Sequence, residues 1–155
     1  IATMNEKKIN KKDFKKYHPA GSLGVKLKTV EDIMLTKNKI PFINENSNMK
    51  NALKIITSKK LGTLVVRNIK GNTTGIITDG QIRRFTQTNQ GLHSLQVKTV
   101  MTKNPIKVEK DTLAIKALSI MNENKITSLC INSLKNKRKT IGILHIHNLL
   151  ENITQ

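Results

Sequence analysis

The sequence repeats itself. One unit contains Asp32-Ile33-Met34, Asn51-Ala52-Leu53-Lys54-Ile55-Ile56, Leu61-Gly62-Thr63-Leu64-Val65-Val66 and Gly75-Ile76-Ile77-Thr78. A second contains Thr99-Val100-Met101, Lys116-Ala117-Leu118-Ser119-Ile120-Met121, Ile126-Thr127-Ser128-Leu129-Cys130-Ile131 and Gly142-Ile143-Leu144-His145. The offset is 67 at Met34/Met101, 65 at Ala52/Ala117 and Leu64/Leu129, and 67 again at Gly75/Gly142. Two extra residues near Lys37 and two near Asn136 account for the change, both in polar, turn-like sequence where a structural repeat tolerates insertion. A chain built this way folds as two similar units that bury their apolar faces together.

Each unit reads as a strand, a helix, two strands and a closing helix. A short apolar stretch, residues 40–43 and 106–108, comes first. Met49, Ala52, Leu53 and Ile56, and then Leu113, Ala114, Ala117, Leu118 and Met121, follow helical spacing. Ser47 and Asp111 stand where N-caps belong. Residues 63–66 and 74–78 are β-rich and joined by Lys70-Gly71-Asn72; 128–131 and 140–145 repeat this around Lys135-Asn136-Lys137. Helices over 81–86 and 148–153 close the units. The fold class is α/β (α+β), with short mixed sheets flanked by helices.

Composition narrows the function. The chain is long enough for one ordinary core or two small ones packed together, and 37 % of its 155 residues are hydrophobic. No apolar run approaches the roughly 18 residues that span a bilayer. One cysteine, Cys130 in Leu129-Cys130-Ile131, excludes a disulfide framework and fits a reducing cytoplasm. It reads as a small buried hydrophobe in preference to a catalytic thiol. The net charge of +18 comes from 28 basic residues, 24 of them Lys, and Lys, Asn and Ile together make up 61 positions. That trio fits an AT-rich coding bias as well as an anionic partner such as a phosphate or nucleotide. Scarce aromatics and only 4 Arg argue against nucleic acid. His145 and His147, two apart, are expected on one side of a strand without the further ligands that a metal needs. His93 sits in a polar loop.

The N-terminal segment carries Lys7, Lys8, Lys11, Lys12, Lys15 and Lys16, a basic stripe on a continuous helix or a solvated face on two short ones. Ile1-Ala2-Thr3-Met4 reads as a chain entered mid-helix. Tyr17-His18-Pro19-Ala20-Gly21-Ser22-Leu23-Gly24 then ends the helix at Pro19, with glycines that allow a turn or close approach.

The two units resemble cystathionine-synthase-like (CBS) repeats, whose pairs pack into a pseudo-twofold disc with two nucleotide clefts. His18 to Gly24, Thr78-Asp79-Gly80-Gln81-Ile82-Arg83-Arg84 and His145-Ile146-His147-Asn148-Leu149-Leu150 further resemble the arabinose-5-phosphate isomerase family, which joins a sugar-isomerase (SIS) domain to a CBS pair. The resemblance implies that residues 1–24 end the SIS domain and linker, with 25–90 and 91–155 as the two repeats. It implies an isomerase interconverting ribulose 5-phosphate and arabinose 5-phosphate for synthesis of the lipopolysaccharide sugar Kdo. His18 would be its catalytic histidine, and this chain alone would be inactive. No cofactor is implied as required.

In such pairs the clefts are lined by the first short strand, by the Thr or Ser opening the next strand, and by a Gly-apolar-apolar-Thr/Ser-x-x-Asp signature. The ligand-binding residues implied are Thr63, Thr78, Asp79, Gln81, Arg83, Thr127, Ser128, His145, His147 and Asn148. Gln81 and Asn148 stand where a ribose-binding carboxylate is usual, and His145 replaces a hydroxyl. Thr78 and Asp79 equally suit capping of the next helix. The ligand implied is a nucleotide or nucleotide sugar, CMP-Kdo first; the alternative is a pair that serves only oligomerisation. A homo-oligomer is implied, a CBS dimer within a tetrameric parent, with no membrane or nucleic-acid partner.

Overall fold

A computed structural model of the chain describes residues 27–88 and 91–153. His18, the segment 17–24 and the N-terminal lysines lie outside the described residues.

The elements follow the repeat. The first unit opens with a one-turn helix α1 (Val30–Ile33) and a two-residue strand β1 (Leu35–Thr36). Then come β2 (Phe42–Asn44), α2 (Met49–Lys59), β3 (Thr63–Arg67), β4 (Thr73–Thr78) and α3 (Asp79–Thr88). The second gives α4 (Val97–Val100), β5 (Thr102–Lys103), β6 (Lys107–Glu109), α5 (Ala114–Asn124), β7 (Ser128–Asn132), β8 (Thr140–His145) and α6 (Ile146–Ile153). Helix α2 turns Met49, Ala52 and Ile56 inward, and α5 turns Ala114, Ala117 and Met121 inward, as the 3.6-residue period requires. Leu53 and Leu118 pack at the margins of the same cores. Both helices end on a lysine in the left-handed region, Lys60 (φ 58°) and Lys125 (φ 55°).

Three local expectations are corrected. The N-cap of α2 is Asn48, whose side-chain oxygen accepts from the Asn51 N–H at 3.0 Å; Ser47 is held one residue earlier, its N–H donating to the Asn44 carbonyl. Leu113, not Asp111, precedes α5, and it makes no side-chain cap; the Ala114 N–H is satisfied instead by the Lys28 carbonyl at 2.7 Å. Helices α3 and α6 begin at Asp79 and Ile146, two residues earlier than the sequence pattern suggests. His147 therefore lies in the first turn of a helix while His145 ends a strand.

Two four-stranded mixed sheets result, ordered β2-β3-β4-β5 and β1-β8-β7-β6. Each borrows an edge strand: β5 of the second unit pairs with β4, and β1 of the first pairs with β8. The segments leading into these strands cross over with them. Val30 donates to the Thr112 carbonyl, and Val97 to the Ser47 carbonyl, each at 2.8 Å. Glycine permits the exchange. A Cβ on Gly75 would stand 2.5 Å from Met101 Sδ and 2.8 Å from the Thr102 carbonyl oxygen, and one on Gly142 would run into Met34.

Equivalent residues also meet one another. Thr63 and Ser128 share a hydroxyl hydrogen bond at 2.9 Å, and Thr73 bonds Thr140. A shared core between the units contains Val65 with its equivalent Cys130, and Ile76 with its equivalent Ile143. Only a twofold relation brings matched positions face to face, so the units pack about a pseudo-twofold axis.

Candidate functional site

A cleft that gathers four of the ten expected residues lies between the two units and measures about 420 Å³. The first unit supplies Ile76, Thr78, Gly80, Gln81 and Arg84; the second supplies Thr102, Asn104, Pro105 and Ile106, and then Lys125 to Ser128. Thr78 is placed by being the last residue of β4, opposite Thr63. Arg84 stands one turn beyond Gly80 on α3, so both face the same side. Its Nη1 lies 3.4 Å from where a Gly80 Cβ would be. Lys125 reaches the cleft because it turns left-handed directly after α5. Among the described residues, none that lines this cleft is acidic.

Four expected residues thus share one cleft: Thr78, Gln81, Thr127 and Ser128. Their side chains already have work within the protein. Thr78 Oγ1 accepts from the Gln81 N–H at 3.3 Å, so the helix-capping reading of Thr78 holds alongside the cleft position. The Gln81 side-chain amide donates to the Val100 carbonyl at 2.5 Å. A carboxylate at this position has no proton to offer that carbonyl, which gives the amide a structural reason to be here. Ser128 is buried against Thr63 at the pseudo-axis, with only its edge reaching the cleft.

The remaining expected residues lie elsewhere. Arg83 is exposed and does not line this cleft, where its neighbour Arg84 stands instead. Asp79 is exposed; its N–H donates to the Gly62 carbonyl at 3.0 Å, and its carboxylate lies beside Gly62. His145, His147 and Asn148 belong to the pseudo-symmetric side of the molecule. There the imidazoles stack, centroids 4.9 Å apart at 29°, and His145 Nδ1 accepts from the His147 N–H at 3.2 Å. Burial, and then the neighbouring His147, hold the His145 pKa below its ordinary value. Lys125 and Asn104 were missed because isolated surface lysines and asparagines in so Lys- and Asn-rich a chain carry no individual signal, and Arg84 because the sequence does not tell which of two adjacent arginines faces the cleft.

Two other readings can be placed. Cys130 is fully buried, and burial pushes its thiol up to about 11, so it is a core residue and not an activated nucleophile. Among the described residues no three His, Cys, Asp or Glu side chains cluster as metal ligands would.

The family model described as "CBS domain" matches this chain twice, at residues 30–87 and 97–155. The chain belongs to the CBS-domain family. This CBS pair is homologous to arabinose 5-phosphate isomerases. It is 37 % identical over 153 residues to arabinose 5-phosphate isomerase KdsD of Francisella tularensis subsp. tularensis, covering 97 % of this chain and 46 % of that protein. It is 34 % identical over 145 residues to the uncharacterized protein RP505 of Rickettsia prowazekii, covering 94 % and 44 %. The chain thus spans under half the length of the curated relatives it matches. Among solved structures, the CBS domain pair of protein MJ0100, in complex with 5′-methylthioadenosine and S-adenosyl-L-methionine, superposes with a TM-score of 0.71 at 20 % identity, covering 80 % of this chain and 94 % of that one. CBSX2 in complex with AMP gives 0.69 at 22 %, covering 82 % and 96 %. At such identities these structures establish the fold.

Proposed function

We propose that this CBS pair is the regulatory, nucleotide- or nucleotide-sugar-sensing module of an arabinose-5-phosphate isomerase. The parent enzyme interconverts ribulose 5-phosphate and arabinose 5-phosphate for synthesis of Kdo and lipopolysaccharide in the cytoplasm. Residues 1–24 are the end of its SIS domain and linker, 25–90 and 91–155 its two repeats, and His18 an acid/base group of the catalytic half. The chain by itself does not isomerise.

The observation that carries this reading is the inter-unit cleft. It is concave, partly apolar, and lined by hydroxyls, amides and two cations, a combination that suits a phosphorylated ligand with a flat or apolar portion. Two structurally similar CBS pairs hold adenosyl ligands or AMP, which supports nucleotide chemistry. CMP-Kdo, a product of the Kdo route proposed for the parent enzyme, is the first ligand to try. Isothermal calorimetry with CMP-Kdo, CMP, AMP and ATP is expected to give a saturable, near-stoichiometric heat for at least one. Silence for all four rejects ligand sensing.

The second reading is a pair that only joins subunits into a homo-oligomer. The engagement of the Gln81 amide by Val100 favours it, since one of its two N–H donors, and with it the orientation of the side chain, is already committed within the protein. A dimer whose melting temperature no nucleotide raises is the result that reading requires.

A further inference from the structure

The residues lining the cleft and their equivalents across the pseudo-twofold axis differ in chemistry. In the cleft described above, Arg84 and Lys125 are the charged lining residues. The repeat offsets place Glu151 where Arg84 stands, and Lys60 where Lys125 stands. At these two positions the cleft carries two positive charges, and the equivalent positions carry one of each sign. The small residue Gly80 leaves room over which the Arg84 guanidinium folds. At the matching place stands His147, its imidazole stacked on His145, which replaces the Thr78 hydroxyl. Thus the cleft is cationic, while the equivalent positions across the axis hold a stacked imidazole pair and a carboxylate.

We propose that the pair binds one phosphate-bearing ligand, not two: Arg84 and Lys125 hold the anionic group in the Thr78–Ser128 cleft, and Glu151 with the His145–His147 stack denies it the equivalent place across the axis. This rests on the ligand-sensing reading and assigns it to one side. Arginine offers phosphate a planar fork of donors and lysine a mobile point charge, so the two together suit a terminal phosphate. A carboxylate in place of the fork repels the same group. The ligand class is a phosphomonoester or pyrophosphate on an apolar or heteroaromatic body, which Ile76, Ile106 and Ile126 accommodate.

Calorimetry on the whole 155-residue chain tests this, with AMP and CMP as probes against adenosine and cytidine. The expected result is one site per chain, weaker by about tenfold or more for the nucleoside than for its 5′-phosphate, a difference of about 1.4 kcal/mol. Arg84→Glu and Lys125→Glu, both at exposed positions, are each expected to weaken the nucleotide by a similar factor with an unchanged melting temperature. Glu151→Arg combined with His147→Gly is expected to add a second site. Two sites in the unaltered chain, or nucleotide affinity indifferent to Arg84→Glu, overturns the one-sided assignment while ligand sensing stands. Absence of any binding in the unaltered chain overturns both.

Discussion

At the scale of single residues, matched positions have diverged where the two units meet. Val65 and Cys130 occupy equivalent places in the shared core, and the thiol there is a packing group. Burial raises its pKa to about 11 from 9.0, against smaller opposing effects of Thr140 and Lys107. The folded state therefore keeps this proton longer than the unfolded chain does. Stability from this group is complete below pH 9 and is lost as pH rises towards 11. Urea melts of the protein and of Cys130→Val between pH 8 and 11 are expected to diverge, with the variant losing less. A thiol reagent at neutral pH is expected to label Cys130 only at the rate of unfolding; rapid labelling of folded protein contradicts the burial. The composition and the apolar neighbours of Cys130 were enough to read this from sequence. Arg83 against Arg84 was not readable, because successive helical residues point about 100° apart and the facing side depends on how α3 docks.

At the scale of elements, the repeat made the long strands and helices legible, since each announced itself twice. What it concealed was the exchange of β1 and β5. Two-residue strands carry no periodicity, and their partners β8 and β4 lie far away in sequence. The sequence trace of the exchange is the matched pair Gly75 and Gly142, whose missing side chains let Met101 and Met34 lie close. Gly75→Ala is expected to cost about 1–3 kcal/mol, the usual range for overpacking, by chemical denaturation. Met101→Ala should restore only part of it, because the Thr102 backbone still blocks the Cβ. At Gly142 the backbone of Leu35 is farther, 3.3 Å away, so Met34→Ala is expected to relieve most of the Gly142→Ala penalty. Equal rescue at both sites contradicts the geometry. The caps were misplaced for a related reason. Asp111 looks like a cap locally, but the first N–H of α5 is satisfied by Lys28 from the other unit.

At the scale of the whole molecule, the candidate site belongs to neither unit. Its wall is made by β4 and α3 on one side and by the approaches to β6 and β7 on the other, so it exists only because the units exchange strands and close about their axis. The sequence pointed to Thr78, Gln81, Thr127 and Ser128, but the cations that set the charge of the cleft emerged only with the packing. Isoleucine methyl NMR of the chain titrated with AMP and with CMP reads this arrangement directly, because Ile76, Ile106 and Ile126 line the cleft, whereas Ile143, the equivalent of Ile76, is buried in the shared core. Saturable shifts are expected at Ile76, Ile106 and Ile126 with at least one nucleotide, with little change at Ile143. Shifts centred on Ile143, or none anywhere with either nucleotide, would contradict this arrangement.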